Sequence, residues 1–300
     1  MKMIKLGIVA MDTSHCVEFT KRFNHIDSPE EMWVEGCQVV AAYPRTAAPG
    51  NEERQGKYVE QLRAWGVKIV DNDKDMRSNV DGVLVESVDG NMHIEHATPY
   101  IKKGMKVWID KPFAATYKQA KTLAKMSAKY KAPMFSASSL RFALEVQKLH
   151  ADVEINGKVV MAWAYTPSKP LNEVPGLMNY GIHGVETLFG IMRGGCEGVS
   201  CLASEAGEMV IGKWAEGRMA TIGGFNKGAG GFGFTASCEK KLVVSPIDSK
   251  YIYRELLKQI SKFMETGVSP VPVEESVQVI GFIEKALVSA KKGGKMVPLK

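Results

Sequence analysis

The spacing of hydrophobic positions changes about halfway along the chain. In the first half they form short unbroken runs: IKLGIVA (4–10), CQVVAAY (37–43), VKIV (67–70), DGVLVES (81–87), KVWID (106–110) and APMFSAS (132–138). Segments of helical spacing separate most of them, at about Ser14 to Asn24, Glu60 to Trp65, Met92 to Lys103 and Tyr117 to Tyr130, with only a short turn expected after VKIV. Apolar runs without polar alternation suit strands covered on both faces, and their exchange with helices predicts a doubly wound parallel α/β domain over residues 1–138. Ligands of such sheets bind at the carboxyl ends of the strands. That rim carries GIVAMDTSH (7–15), Tyr43-Pro44-Arg45, Glu86-Ser87-Val88 and Asp110-Lys111-Pro112.

A helix near Leu140 to His150 precedes a different pattern. GKVVMAWAYT, GCEGVSCLASE, EMVIGKWAEGRMATIGG and GFGFTASCEKKLVVS read as strands joined by glycine-containing turns, with a hairpin loop at Ala215-Glu216-Gly217. Two amphipathic helices follow, about Tyr253 to Thr266 and Glu274 to Lys291. Residues 139–300 are therefore expected to form an α+β domain with a largely antiparallel open sheet. The glycine cluster 223–234 lacks the following helix and the Lys-Ser or Lys-Thr pair of a phosphate loop, so it reads as turns and bulges.

Three hundred residues, 45% hydrophobic and 24% charged, suffice for two medium domains. The net charge of +6 comes from scattered lysines without a basic run or aromatic-basic repeat, which argues against nucleic acid as a partner. Neither a leader pattern nor a long apolar segment is visible, so a cytoplasmic, membrane-free protein is expected. Five cysteines without C-x-x-C spacing suit reduced core thiols. The pairs His93/His96 and Asp12/His15 lack a third ligand at useful spacing, and no metal is expected.

The first turn poses the main question. A strand like LGIVA normally enters G-x-G-x-x-G, whose glycines let backbone approach a pyrophosphate at a helix N-terminus. Here those positions are Ala10, Asp12 and His15. A carboxylate in the middle position opposes phosphate charge. The most economical role for Asp12, Thr13 or Ser14 is to cap the following helix, and such a cap would occupy the donors a pyrophosphate needs.

Three segments carry a family resemblance. KVWIDKPFA (106–114) resembles the E-K-P segment of the Gfo/Idh/MocA oxidoreductases, the relatives of glucose-fructose oxidoreductase and inositol dehydrogenase. NYGIHGVETLFG (179–190) is similar to that family's D-x-G-x-H-x-x-D element, and PVPVEESVQVIGFIEKALVSAKKGGKMVPL (270–299) to its usual ending. The resemblance implies a Rossmann-type first domain, a nicotinamide between the domains, Lys111 near the reacting carbon and His183 facing it. A lysine there can stabilise negative charge on a carbinol or carbonyl oxygen, and a histidine can exchange the hydroxyl proton. The implied cofactor contacts are Ala10, Met11, Asp12, Thr13, Ser14, Arg45, Ser87, His93, Asp110, Lys111 and Pro112. Asn179, Tyr180, Arg141 and Tyr165 are the candidate substrate contacts.

Two departures qualify this reading. Asn179 stands where the family commonly has an aspartate, and an amide cannot take up a proton. Arg45 stands where an NAD enzyme usually has an acidic residue, so that of NAD and NADP the second is favoured. The expected function is hydride transfer to or from a secondary alcohol or ketone of a sugar, cyclitol or derivative. The alternatives are a ligand-binding or regulatory relative without ordinary dehydrogenase activity, or a lyase or hydrolase using tightly bound NAD. A small-molecule substrate and a homo-oligomer, dimer or tetramer, complete the expectation.

Overall fold

The computed structural model describes residues 3–171, 173–228 and 230–299, which leaves residue 229 of the glycine cluster outside the described residues. The first segment runs β1 (Ile4–Val9), α1 (His15–Asn24), β2 (Cys37–Tyr43), α2 (Glu52–Ala64), β3 (Lys68–Ile69), α3 (Asp73–Asn79), β4 (Gly82–Val85), α4 (His93–Ile101), β5 (Lys106–Ile109), α5 (Tyr117–Tyr130) and β6 (Met134–Ser136). Its sheet has the order β3-β2-β1-β4-β5-β6, and every pairing is parallel. The order reverses between β1 and β4, the switch point where such sheets open a ligand crevice. All four residues of β4 are buried, as expected for a strand covered on both faces.

Two helices differ from expectation. A helix, α3, occupies the stretch read as a turn, started by the Asn72 side chain accepting from the Asp75 amide. Helix α2 begins at Glu52, well before Glu60, and buries only Leu62, so apolar spacing could not mark its start.

The later segment holds a 3-10 turn (Ser139–Phe142), α6 (Leu144–Ala151), α7 (Val153–Asn156), β7 (Val159–Pro167), α8 (Gly176–Asn179), α9 (Ile182–Met192), β8 (Cys196–Ser204), β9 (Gly207–Trp214), β10 (Met219–Phe225), β11 (Gly233–Cys238), β12 (Leu242–Pro246), α10 (Ile252–Thr266), α11 (Val273–Lys291) and β13 (Val297–Pro298). The second sheet has the order β12-β11-β7-β10-β9-β8-β13 and is antiparallel except for the β7–β10 pair. Helix α9 lies on one face of it, where Gly184 leaves no room for a Cβ against the Thr166 side chain of β7.

Two compact units result: Met1–Ala137 with Tyr253–Val273, and Ser138–Ile252 with Glu274–Lys300. Helix α10 joins the first unit through Phe263 against Phe135 and through Lys106, whose ammonium donates to the Met264 carbonyl. No helix among the described residues is long and apolar enough to cross a membrane.

Candidate active site

In the first unit the strand ends converge on the β1–α1 turn. Ala10 takes φ +67°, the left-handed conformation a glycine would supply, and its amide donates to the Tyr43 carbonyl. Asp12 is buried, yet it caps nothing: its carboxylate accepts from the Ala48 amide at 2.8 Å and the Val88 amide at 3.0 Å, in the loops after β2 and β4. The expected N-cap is thus corrected, since Ser14 begins α1 with no side-chain cap bond and is exposed. Thr13 is half-buried, with its hydroxyl 3.4 Å from the His15 amide. Arg54, which sequence reasoning passed over, reaches from α2 to donate to the Asp12 carbonyl at 2.5 Å.

A buried polar layer lies at the ends of β4 and β5. Asp110 is buried, accepts from His15 Nδ1 at 2.5 Å through one oxygen and from the Lys111 amide at 2.7 Å through the other. Burial pushes the Asp110 carboxyl up, but the charges and hydrogen bonds of His15 and Lys111 outweigh it and hold the group below its ordinary range. Glu86 is fully buried, and neither of its carboxyl oxygens has a hydrogen-bond partner among the described residues. Burial first, and the nearby Asp110 charge second, push it well above the usual carboxylate range. Lys111 is half-buried and precedes a cis peptide to Pro112.

Several implied cofactor contacts are engaged internally. His93 is wholly buried, with Nε2 2.9 Å from the Ser87 carbonyl, so it fastens the β4–α4 loop. Burial lowers its pKa. The Ser87 hydroxyl meets His96 Nδ1 at 2.5 Å, and burial together with the charge of Arg45 brings His96 down to about 4. Ala10 and Met11 are also buried and present no side-chain surface. Arg45 is bound by both Asp73 oxygens at 2.7 and 2.8 Å and lies 3.2 Å from Glu95, which leaves its charge matched.

The second unit holds His183 on α9, half-buried, with Nδ1 2.6 Å from the Ser138 hydroxyl. The exposed Tyr180 ring meets it edge-on at 4.9 Å, and Phe232 packs nearby. Asn179 ends α8 and donates to the Lys169 carbonyl at 3.1 Å. These three residues are brought together, but the other two substrate candidates are placed elsewhere. Arg141 is buried, its guanidinium 2.5 Å from Glu186 and paired also with Glu275, so it is an internal ion network. Tyr165 shares a strand face with Met161 and Trp163, while Ala162, Ala164 and Thr166 face α9; side chains alternate across a strand, and Tyr165 points away from His183.

No curated protein matches the chain. The whole chain shares its fold with solved structures: an oxidoreductase from Thermotoga maritima (16% identity, 99% of each chain, TM-score 0.74), the myo-inositol dehydrogenase from Lactobacillus casei in complex with NAD(H) and myo-inositol (12%, 100% of this chain and 97% of that one, 0.78), and the myo-inositol 2-dehydrogenase from Lactobacillus plantarum (14%, 100% of each, 0.77). The family model GFO_IDH_MocA, an oxidoreductase family with an NAD-binding Rossmann fold, matches residues 23–138, from the end of α1 through Asp110 and Lys111. Residues 23–138 thus resemble the NAD-binding Rossmann domain of the Gfo/Idh/MocA oxidoreductase family.

Proposed function

We propose that this chain is an NAD-dependent oxidoreductase that moves hydride to or from a secondary alcohol or ketone of a sugar, cyclitol or related small molecule. The observation that carries the reading is the match of residues 23–138 to an NAD-binding oxidoreductase domain, with Lys111 at the end of β5. The β1–α1 turn fits a diphosphate, because its carboxylate is bound to the Ala48 and Val88 amides and the Ser14 side chain makes no cap bond at the start of α1. Thr13, Ser14 and Arg54 are the polar side chains at that turn. When bound, the nicotinamide accepts or supplies the hydride.

The chain's own residues supply the rest. The Lys111 ammonium hydrogen-bonds the substrate oxygen and stabilises its developing negative charge. His183, held by Ser138, takes the hydroxyl proton on oxidation and returns it on reduction. Asn179 and Tyr180 orient the substrate. NAD is proposed over NADP because Arg45 is already paired with Asp73.

Lys111→Ala is expected to lower turnover at least about a hundredfold, the usual worth of one electrostatic donor, while thermal unfolding and NAD affinity stay close to wild type. Wild-type turnover in that variant would remove Lys111 from the reaction. The burial of Ala10, Met11 and Asp12 favours a second reading, a ligand-binding relative without turnover. Turnover of any polyol with NAD would dismiss it.

A further inference from the structure

His15 occupies the place of the third glycine, where close packing of helix on strand ordinarily asks for the smallest residue. In this chain a full imidazole sits there, held by one hydrogen bond and two ring contacts. It is the first residue of α1, stacks on Phe19 at 4.9 Å with planes 10° apart, and meets Tyr253 of α10 edge-on at 5.2 Å. Its Nδ1 lies 2.5 Å from Asp110, across 95 residues of sequence. Asp110 turns its other oxygen to the amide of the next residue, Lys111, at 2.7 Å. A hydrogen-bond chain therefore runs from the first turn of α1 through one carboxylate to the backbone of the lysine.

The setting strengthens that chain. His15 and Asp110 are 9% and 3% exposed, so water competes little for their bond. Phe19 packs in turn on Trp108 of β5, two residues before Asp110, and this fixes the helix against the strand that leads into the carboxylate. Of the other ionisable side chains buried nearby, Cys16 donates its thiol to the Thr13 carbonyl, His93 faces the Ser87 carbonyl, and the Glu86 carboxyl has no hydrogen-bond partner among the described residues.

We propose that His15 and Asp110 form a positioning dyad for Lys111, coupling the β1–α1 turn to the loop that presents the lysine. The imidazole orients the carboxylate, and the carboxylate sets the Lys111 backbone and places a negative charge beside it. The replacement of the third glycine by histidine is then the device that makes the coupling. This inference rests on the oxidoreductase reading for its use, but its test does not depend on turnover.

The test uses the full chain without added nucleotide. Lys111 is labelled with trinitrobenzenesulfonate at fixed pH, and peptide mass spectrometry follows its rate alongside Lys106 and Lys103 as internal references. Asp110→Asn and His15→Ala should each change the Lys111 rate severalfold with the reference lysines unmoved. His15→Asn, whose side-chain amide can stand in for Nδ1, should restore most of it, whereas His15→Gln should not. An unchanged Lys111 rate in Asp110→Asn, or equal effects of His15→Asn and His15→Ala, would overturn the dyad; if one variant fails to fold, the Asn/Gln pair still decides. Altered labelling in a protein that turns over no alcohol would retain the dyad and remove the oxidoreductase reading. Wild-type turnover with unaltered labelling would do the reverse.

Discussion

Asp12 is held by fixed amide dipoles, and that is why a carboxylate can sit in this turn. Two backbone donors from neighbouring loops meet its charge, so it braces strand ends and does not confront a phosphate. Glu86 has no such partners, and its folded-state pKa is raised. A proton bound in the folded chain and released in the unfolded one makes stability fall as pH rises from about 4.5 through the folded-state value, and level off above it. Glu86→Gln removes that loss: its melting temperature should exceed wild type at neutral pH, with the gap closing toward pH 4.5. Parallel pH curves for the two proteins would show that Glu86 is not a buried neutral acid. At this scale the sequence singled out Lys111 as a candidate and showed the oddity of Asp12, but it could not show whom Asp12, Arg45 or Arg141 would bind. Those partners lie 28 to 134 residues away, and no local pattern encodes them.

Among the elements, α9 shows how small and charged residues divide the work of packing. Gly184 lets the helix approach β7 so closely that an added Cβ would stand 2.5 Å from Thr166 Cγ2. Gly184→Ala should therefore destabilise the chain by about 1–3 kcal/mol, the usual cost of overpacking, as read by denaturant unfolding; an unchanged midpoint would mean that α9 shifts freely. Glu186 anchors the same helix to Arg141, which also holds Glu275 of α11. Arg141→Ala leaves two buried carboxylates without their cation, and a loss of about 3–5 kcal/mol is expected. A loss below about 1 kcal/mol, the value of a surface pair, would contradict the internal role. The segment of α9 stood out in the sequence only through its motif around His183. Helix α3, with Met76 as its only buried residue, did not stand out. The cap from Asn72 to Asp75 was the available signal.

At the scale of the whole molecule, the second sheet leaves a continuous apolar face. Met161 and Trp163 of β7, Met209 and Ile211 of β9, Leu202 of β8 and Val244 of β12 are all exposed, and strand register sets Trp163 and Ile211 on either side of Thr221. A patch of this kind marks an interaction surface, and the homo-oligomer expected from the sequence is tested on it. Trp163→Lys with Ile211→Lys should shift the protein to monomer in sedimentation, and a wild-type chain that is already monomeric would refute the expectation. The change from apolar runs to alternating strands announced two kinds of sheet in the sequence. It could not announce that α10 would pack with the first unit, because amphipathic spacing tells that a helix has a buried face but not which core receives it.

The central claim is that a first turn without its glycines still serves a dinucleotide. Isothermal titration of the purified chain with NAD, NADH, NADP and NADPH tests it most directly, after a check of the absorbance for nucleotide carried through purification. The account predicts saturable micromolar binding of NAD or NADH, tighter than that of the phosphorylated pair because Arg45 is already matched by Asp73. Absence of binding by all four, in a protein carrying no nucleotide, would contradict it.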